Sequence, residues 1–387
     1  MSAWSSVLAR EYTFIRAHKA EQFLLFGLPL LLIVLIWWIF SSGQSRDLPL
    51  AVLDLDQSQL SRQLSRTLDA SPALSVAEYP DDNAQAMQLL QQRKVYAVLV
   101  IPEQFAAKLL SGQQATVVLE HNAQFTSHSS AIYRSVQQGI NTAATLLNAD
   151  RLLRTGKAGA LALAAPIRLT SSALYNEDTD YELFLAATLI PAVLHILAMV
   201  IAVSAVGREL RDGSAALWLE AASGSVSTAL AAKLLPYWLI CCGWGWLFIW
   251  LFAASGRADI QGSGLALVTG MLLMQSAAMA IALLLLGLTK NLRMALSLSG
   301  FFSAPAFAYS GQAFPLVAMP AFAQGWASLL PLTHWITLYN QIWLAGAPLA
   351  YYASTLLILL LMVIIPGAAA FYLLQKSAFK PEYWGAK

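Results

Sequence analysis

Apolar residues along this chain fall into six long blocks, separated by one wide polar interval and several short charged turns. The first stretch, residues 1–22, places Trp4, Val7, Leu8, Tyr12 and Ile15 on one helical face. Arg10, Glu11, Arg16 and Lys19 fall largely on the other, which predicts a helix lying in a membrane interface or packed on neighbouring protein. From Phe23 to Phe40 no charge occurs. That run meets the ~17–25 residues a spanning helix needs. No small-residue cleavage site follows it, so a retained first span is expected rather than a signal peptide.

Residues 41–182 differ in pattern. Leu48–Asp54, Val95–Ile101 and Thr116–Glu120 are short apolar runs that predict buried strands, with Leu74–Tyr79 a weaker one. Helical stretches alternate with them: Ser58–Ala70, Asn83–Lys94, Pro102–Leu110, and a longer one over Ser127–Gly156. Such alternation predicts an α/β domain with a partly parallel sheet.

A five-helix transmembrane region, 183–374, is expected next. Leu183–Val206 is the second span, Thr228–Ala254 the third, Leu265–Thr289 the fourth, Met294–Tyr309 a shorter fifth and Ala347–Leu374 the sixth. Lys233 stands near the start of the third, where its long side chain is expected to reach back to the interface. Residues 310–333 are apolar but broken by Pro315, Pro320, Gly325 and Pro331, so they predict a segment that dips into the membrane and returns. A basic tail, 375–387, closes the chain. The fold class expected is a polytopic α-helical membrane protein of six spans with an inserted extracytoplasmic α/β domain.

Composition agrees with this reading, since 58% of residues are hydrophobic and only 11% charged, against about 25% charged in soluble domains. A net charge of +2 gives no reason to expect nucleic acid. Short-loop charge sets the orientation. With both termini in the cytoplasm, Arg10, Arg16, Lys19, Arg208, Arg211, Lys290, Arg293, Lys376, Lys380 and Lys387 all lie inside, while the short outer segments offer little beyond Arg257. The positive-inside rule therefore predicts a multi-pass protein with both termini in the cytoplasm and residues 41–182 on the far side of the membrane.

Candidate chemistry narrows the classes further. Cys241 and Cys242 are adjacent within an apolar run and are expected as buried free thiols. His121 and His128 beside Glu120 lack a third well-spaced ligand, so no metal site is expected. No phosphate-cradling GxxxxGK[ST], HExxH or GxSxG occurs, and the spans hold no Asp or Glu, which argues against an intramembrane hydrolase. No catalytic residue and no cofactor are expected in this chain. His195 is the intramembrane ionisable group, and with Gln275 it is a candidate for a substrate path; the alternative for each is a hydrogen bond between helices. Between the second and third spans, Gly207–Glu220 carries Arg208, Glu209, Arg211, Asp212 and Glu220 and then Leu217 and Trp218 at helical spacing. It reads either as a solvated loop or as an amphipathic helix presented to a soluble partner.

Three blocks resemble the permease subunits of type-2 ATP-binding-cassette exporters, over nearly the whole chain. The segment RELRDGSAALWLEAASG is similar to their R-E-x-E-x-G-T pattern, matched by Arg208, Glu209, Gly213 and Ser214, with serine for threonine. Phe314, Pro315, Met319, Pro320, Pro331, Leu332 and Thr333 stand at the spacing of the family's outer segment, with His334 in the usual tyrosine position. Tyr96–Gly112 resembles the subset with a large extracytoplasmic domain. The resemblance implies a coupling helix at 208–220, with Arg208, Glu209, Arg211, Asp212, Gly213 and Ser214 engaging a cytosolic ATPase, and an outer gate over Phe314–His334. It also implies ATP and Mg on that separate ATPase, a second permease chain, identical or homologous, and a periplasmic adaptor as a further partner beside the lipid bilayer. The alternative function is a non-transporting mechanotransmission or sensor protein driven by a cytosolic ATPase.

Overall fold

A computed structural model describes residues 2–41, 46–92, 94–111, 113–121, 126–155, 180–256, 260–378 and 380–383. The chain divides into two compact units, Met1–Ser41 with Glu182–Lys387, and Ser42–Tyr181. The first unit opens with α1 (Ala3–Ala17), whose N-terminus is capped by Ser2. At His18 the backbone turns extended and α2 (Lys19–Phe40) begins. Gln22 fastens this corner, its Nε2 donating to the carbonyls of Ile15 and Arg16 at 3.1 and 2.8 Å.

The second unit carries a mixed sheet. Strands β1 (Leu48–Asp54), β2 (Leu74–Glu78), β3 (Ala97–Ile101) and β4 (Val118–His121) are ordered β2-β1-β3-β4. β1 is parallel to both β2 and β3, and β4 is antiparallel to β3. Helices α3 (Gln59–Asp69), α4 (Asn83–Gln91), α5 (Phe105–Leu110) and α6 (Thr126–Thr155) accompany it. Side chains alternate across a strand, so Leu50, Val52, Leu99 and Ile101 pack with Leu64, Leu68 and Ile132, while Ala51, Leu53 and Val98 pack with Ala86 and Leu89. Burial on both faces explains the unbroken apolar run of β1. The expected end of the long helix at Gly156 lies outside the described residues.

The first unit resumes with α7 (Glu182–Arg211), α8 (Ala215–Ala221), α9 (Val226–Ala254) and α10 (Gly264–Thr289). It continues through α11 (Leu292–Ser303), α12 (Ala306–Tyr309), α13 (Ala321–Ser328) and α14 (Pro331–Leu338) to α15 (Leu349–Ala378). Among the described residues five helices, α2, α7, α9, α10 and α15, are long and apolar enough to cross a membrane. The expected fifth span at 294–309 is instead two pieces. Pro305 has no N–H to carry the ladder onward from α11, and twelve residues reach only about 18 Å of a ~30 Å hydrocarbon core. Pro191, by contrast, lies inside an unbroken α7. The loop residues Arg257 and Asp259, like Lys387 in the tail, lie outside the described residues.

Helices α7 and α10 are the most enclosed, whereas α2 and α15 leave most of their apolar surface uncovered. The packed interior forms two layers. One joins Val7, Leu25, Met199, Trp218, Tyr237, Ala282 and Leu374; the other joins Ile33, Ile190, Phe248, Met271, Trp335 and Leu359. Each long helix contributes to both, so α1 and α8 lie at one end of the bundle and α12 to α14 at the other.

Candidate functional site

At the α1 end the apolar layer surrounds a group of charges. Arg208 and Glu209 occupy the last turn of α7 and are buried, as are Glu11 on α1 and Lys233 on α9. Lys233 Nζ donates to Glu11 Oε1 at 2.5 Å and to Glu209 Oε1 at 2.6 Å. Arg208 Nη2 donates to Glu11 Oε2 and, at 2.8 Å, to the Tyr237 hydroxyl, which itself donates to Glu11 Oε2 at 3.0 Å. Arg10 reaches Glu209 Oε2 at 2.7 Å from the rim, and Arg208 Nη1 reaches Glu21 Oε1 at 3.3 Å. The Phe14 ring lies 3.7 Å from the Arg208 guanidinium carbon, a cation–π contact.

Three cations and three carboxylates thus meet with no net charge. Neutrality is what lets them stay buried, because an isolated ion would cost several kcal/mol or lose its charge. The local sequence places each one. On α1, a residue at position 11 falls one turn from Val7 and one turn from Ile15, inside the apolar stripe rather than opposite it, and so Glu11 faces inward. Of the residues expected on the apolar face, Val7 is buried in the bundle while Trp4 and Tyr12 are exposed. Lys233, expected to reach back to an interface, is fully buried. Two carboxylates within hydrogen-bonding distance inside the bundle hold its ammonium there.

The turn after α7 follows from Gly213. Its φ of +67° is left-handed, a conformation glycine adopts without the steric cost paid by other residues. It lets the Ser214 N–H donate to the Glu209 carbonyl at 3.0 Å, the closing bond of a Schellman turn. The Ser214 hydroxyl then donates to Glu209 Oε2 at 2.5 Å. A threonine hydroxyl could make the same bond. Gly207 serves a different need: a Cβ there would stand 2.7 Å from Leu292 Cδ1, so its absence lets α11 lie close against α7.

The segment Gly207–Glu220 therefore has two sides. Arg208 and Glu209 belong to the end of α7 and point into the bundle, followed inward by Leu210, Ala215, Trp218 and Leu219. Arg211, Asp212, Gly213, Ala216, Leu217 and Glu220 face outward. Leu217, expected on the apolar face, is 66% exposed. Arg211 and Asp212 pair with each other through two hydrogen bonds of 2.6 and 3.0 Å, and these hold the Asp212 carboxyl below its usual range.

The remaining sequence candidates lie elsewhere. Leu332 is buried in the other layer, Met319, Pro331 and Thr333 are buried as well, and Phe314, Pro315 and Pro320 are exposed. His334 Nε2 donates to the Ser328 carbonyl at 2.9 Å and ties α14 back to the end of α13. His195 and Gln275 are fully buried on α7 and α10, and neither ring nitrogen of His195 has a hydrogen-bond partner among the described residues. Among the described residues, the interhelical hydrogen bond expected as its alternative is thus not present. Cys241 and Cys242 are buried free thiols. The side chain of His128 lies outside the described residues.

A family model described as ABC-2 family transporter protein matches residues 19–372. The chain belongs to that family. No curated protein matches it. As an ABC-2 family protein it is a multi-pass membrane permease component of an ABC transporter, and family membership implies an ABC ATPase as its partner. The matched stretch includes Glu21, Arg208, Glu209, Lys233 and Tyr237; Arg10 and Glu11 precede it. Those two, with Glu21, Lys233 and Tyr237, are the members of the charge network that sequence reasoning did not assign. The signal was present, because Glu11 interrupts an apolar stripe and Lys233 an apolar run.

Proposed function

We propose that this chain is the membrane-spanning subunit of an ATP-driven exporter, working as a dimer of permease chains with separate cytosolic ATPase subunits that carry ATP and Mg. The observation that supports it most is the buried network itself. It joins the end of α7 to the N-terminal helix and to α9, and Ser214 ties the connector to it, so a force applied to α8 reaches α1 and two spans at once. Ion pairs with short, mutually satisfied bonds transmit displacement because breaking any one leaves a buried charge.

On this reading α1, the connector and the turn at Lys290–Arg293 lie in the cytoplasm, and the Ser42–Tyr181 unit lies outside, available to substrate or to a periplasmic adaptor. Segments α11 to α14 together make the remaining crossing of a six-span topology, with the proline-broken stretch as the outer gate. The exposed apolar faces of α2 and α15 suit lipid or the second permease chain. His195 and Gln275, in the most enclosed helices, are candidates for the transport path. Reconstitution with the ATPase in vesicles tests the proposal. ATP-dependent movement of an amphipathic dye across the bilayer is expected. ATP hydrolysis with no transport of dye, lipid or hydrophobic peptide would instead favour a mechanotransmission protein.

A further inference from the structure

The corner between α1 and α2 holds a cleft of about 450 Å³, lined by Tyr12, Ile15, Arg16, Gln22 and Phe26. Its chemistry is set by which charges are already occupied. Arg10, Arg208 and Lys233 all have carboxylates, and Glu21 is taken by Arg208. Arg16 is exposed and has no carboxylate among the described residues. Among the described residues, nothing acidic lines the cleft with it. Gln22 is occupied in holding the carbonyls of Ile15 and Arg16, so it braces the wall. One turn further along α2, Phe26 exposes its ring at the start of the apolar run.

The cleft therefore presents a cation and the Tyr12 hydroxyl above hydrocarbon. The candidate span begins at Lys19 and the cleft straddles that point, so in the orientation proposed above, on which this inference rests, it falls at headgroup level. A phospholipid has the complementary order, phosphate above acyl chain. We infer that the cleft binds an anionic phospholipid, with its phosphate on the Arg16 guanidinium and its acyl chain along Phe26. An arginine fork suits phosphate geometry, and anionic lipids attract exposed basic groups at the cytoplasmic surface. The same helix carries Arg10 and Glu11 on its inner side, so an occupied cleft would also steady the helix that completes the buried network.

Native mass spectrometry of the full-length chain, with equimolar phosphatidylglycerol and phosphatidylcholine, tests this. The wild type is expected to retain phosphatidylglycerol preferentially. Arg16→Ala and Arg16→Gln should each weaken that binding about tenfold, the size of a charged hydrogen bond, and leave phosphatidylcholine binding unchanged. Lys19→Ala should change it less than about twofold if the site is a local fork. Three results would overturn the inference: an unchanged preference in both Arg16 variants, an equal loss in Lys19→Ala that marks diffuse attraction, or displacement of the lipid by millimolar inorganic phosphate. Arg16 packs against no ion partner, so melting temperatures of its variants should equal that of the wild type.

Discussion

Lys233→Met is expected to lower the stability of the membrane unit by about 3–5 kcal/mol, the usual consequence of removing one member of a buried ion group. Methionine has nearly the shape of the lysine stem, so packing changes little. The loss comes from Glu11 and Glu209, which keep their charges in a buried site while a shared ammonium 2.5 and 2.6 Å away disappears. Adding Glu11→Gln should recover most of it. Two balanced pairs then remain, Arg10 with Glu209 and Arg208 with Glu21. Thermal melting of the solubilised chain checks both variants. A melting temperature for Lys233→Met equal to wild type, or a double variant less stable than the single one, would show that the charges do not act as one group.

Leu217→Asp should have the opposite profile, with stability unchanged and ATPase association lost. Leu217 is exposed on α8 between Asp212 and Glu220, and the one large apolar side chain on an outward face that also carries Arg211, Asp212 and Glu220 is what a docking partner would cover. An aspartate there would place an unpaired charge in the covered contact, which costs several kcal/mol of binding and on the order of a hundredfold or more in affinity. Co-purification with the ATPase and the melting temperature of the permease, measured together, separate docking from folding. Retained association would move the contact away from α8.

Much of the architecture is legible in the sequence, because it follows from local periodicity. The five long helices begin and end within a few residues of the apolar runs; β1, β2 and β3 lie within the expected runs, and β4 passes the end of its run by one residue, His121. The shortened fifth run could be recognised only by weighing Pro305 against a sequence that otherwise continues apolar to Tyr309. The network was hidden for a different reason. Glu11 and Lys233 are 222 residues apart, and nothing local to either reveals the other. Helical spacing nevertheless put Glu11 inside its apolar stripe, and Lys233 in a buried turn of α9; a charge in each place demanded a partner. The resemblance implies that Arg208 and Glu209 engage the ATPase, whereas α7 runs on through Arg211 and buries both side chains.

The division of Gly207–Glu220 into an inward, ion-paired side and an outward, docking side is the centre of this account. A photocrosslinking residue placed at Leu217, in the full chain assembled with its ATPase, tests it most directly. Capture of the ATPase from Leu217, with little from the same group at Arg293 on α11, is the expected result. Capture from Arg293 with none from Leu217 would contradict it.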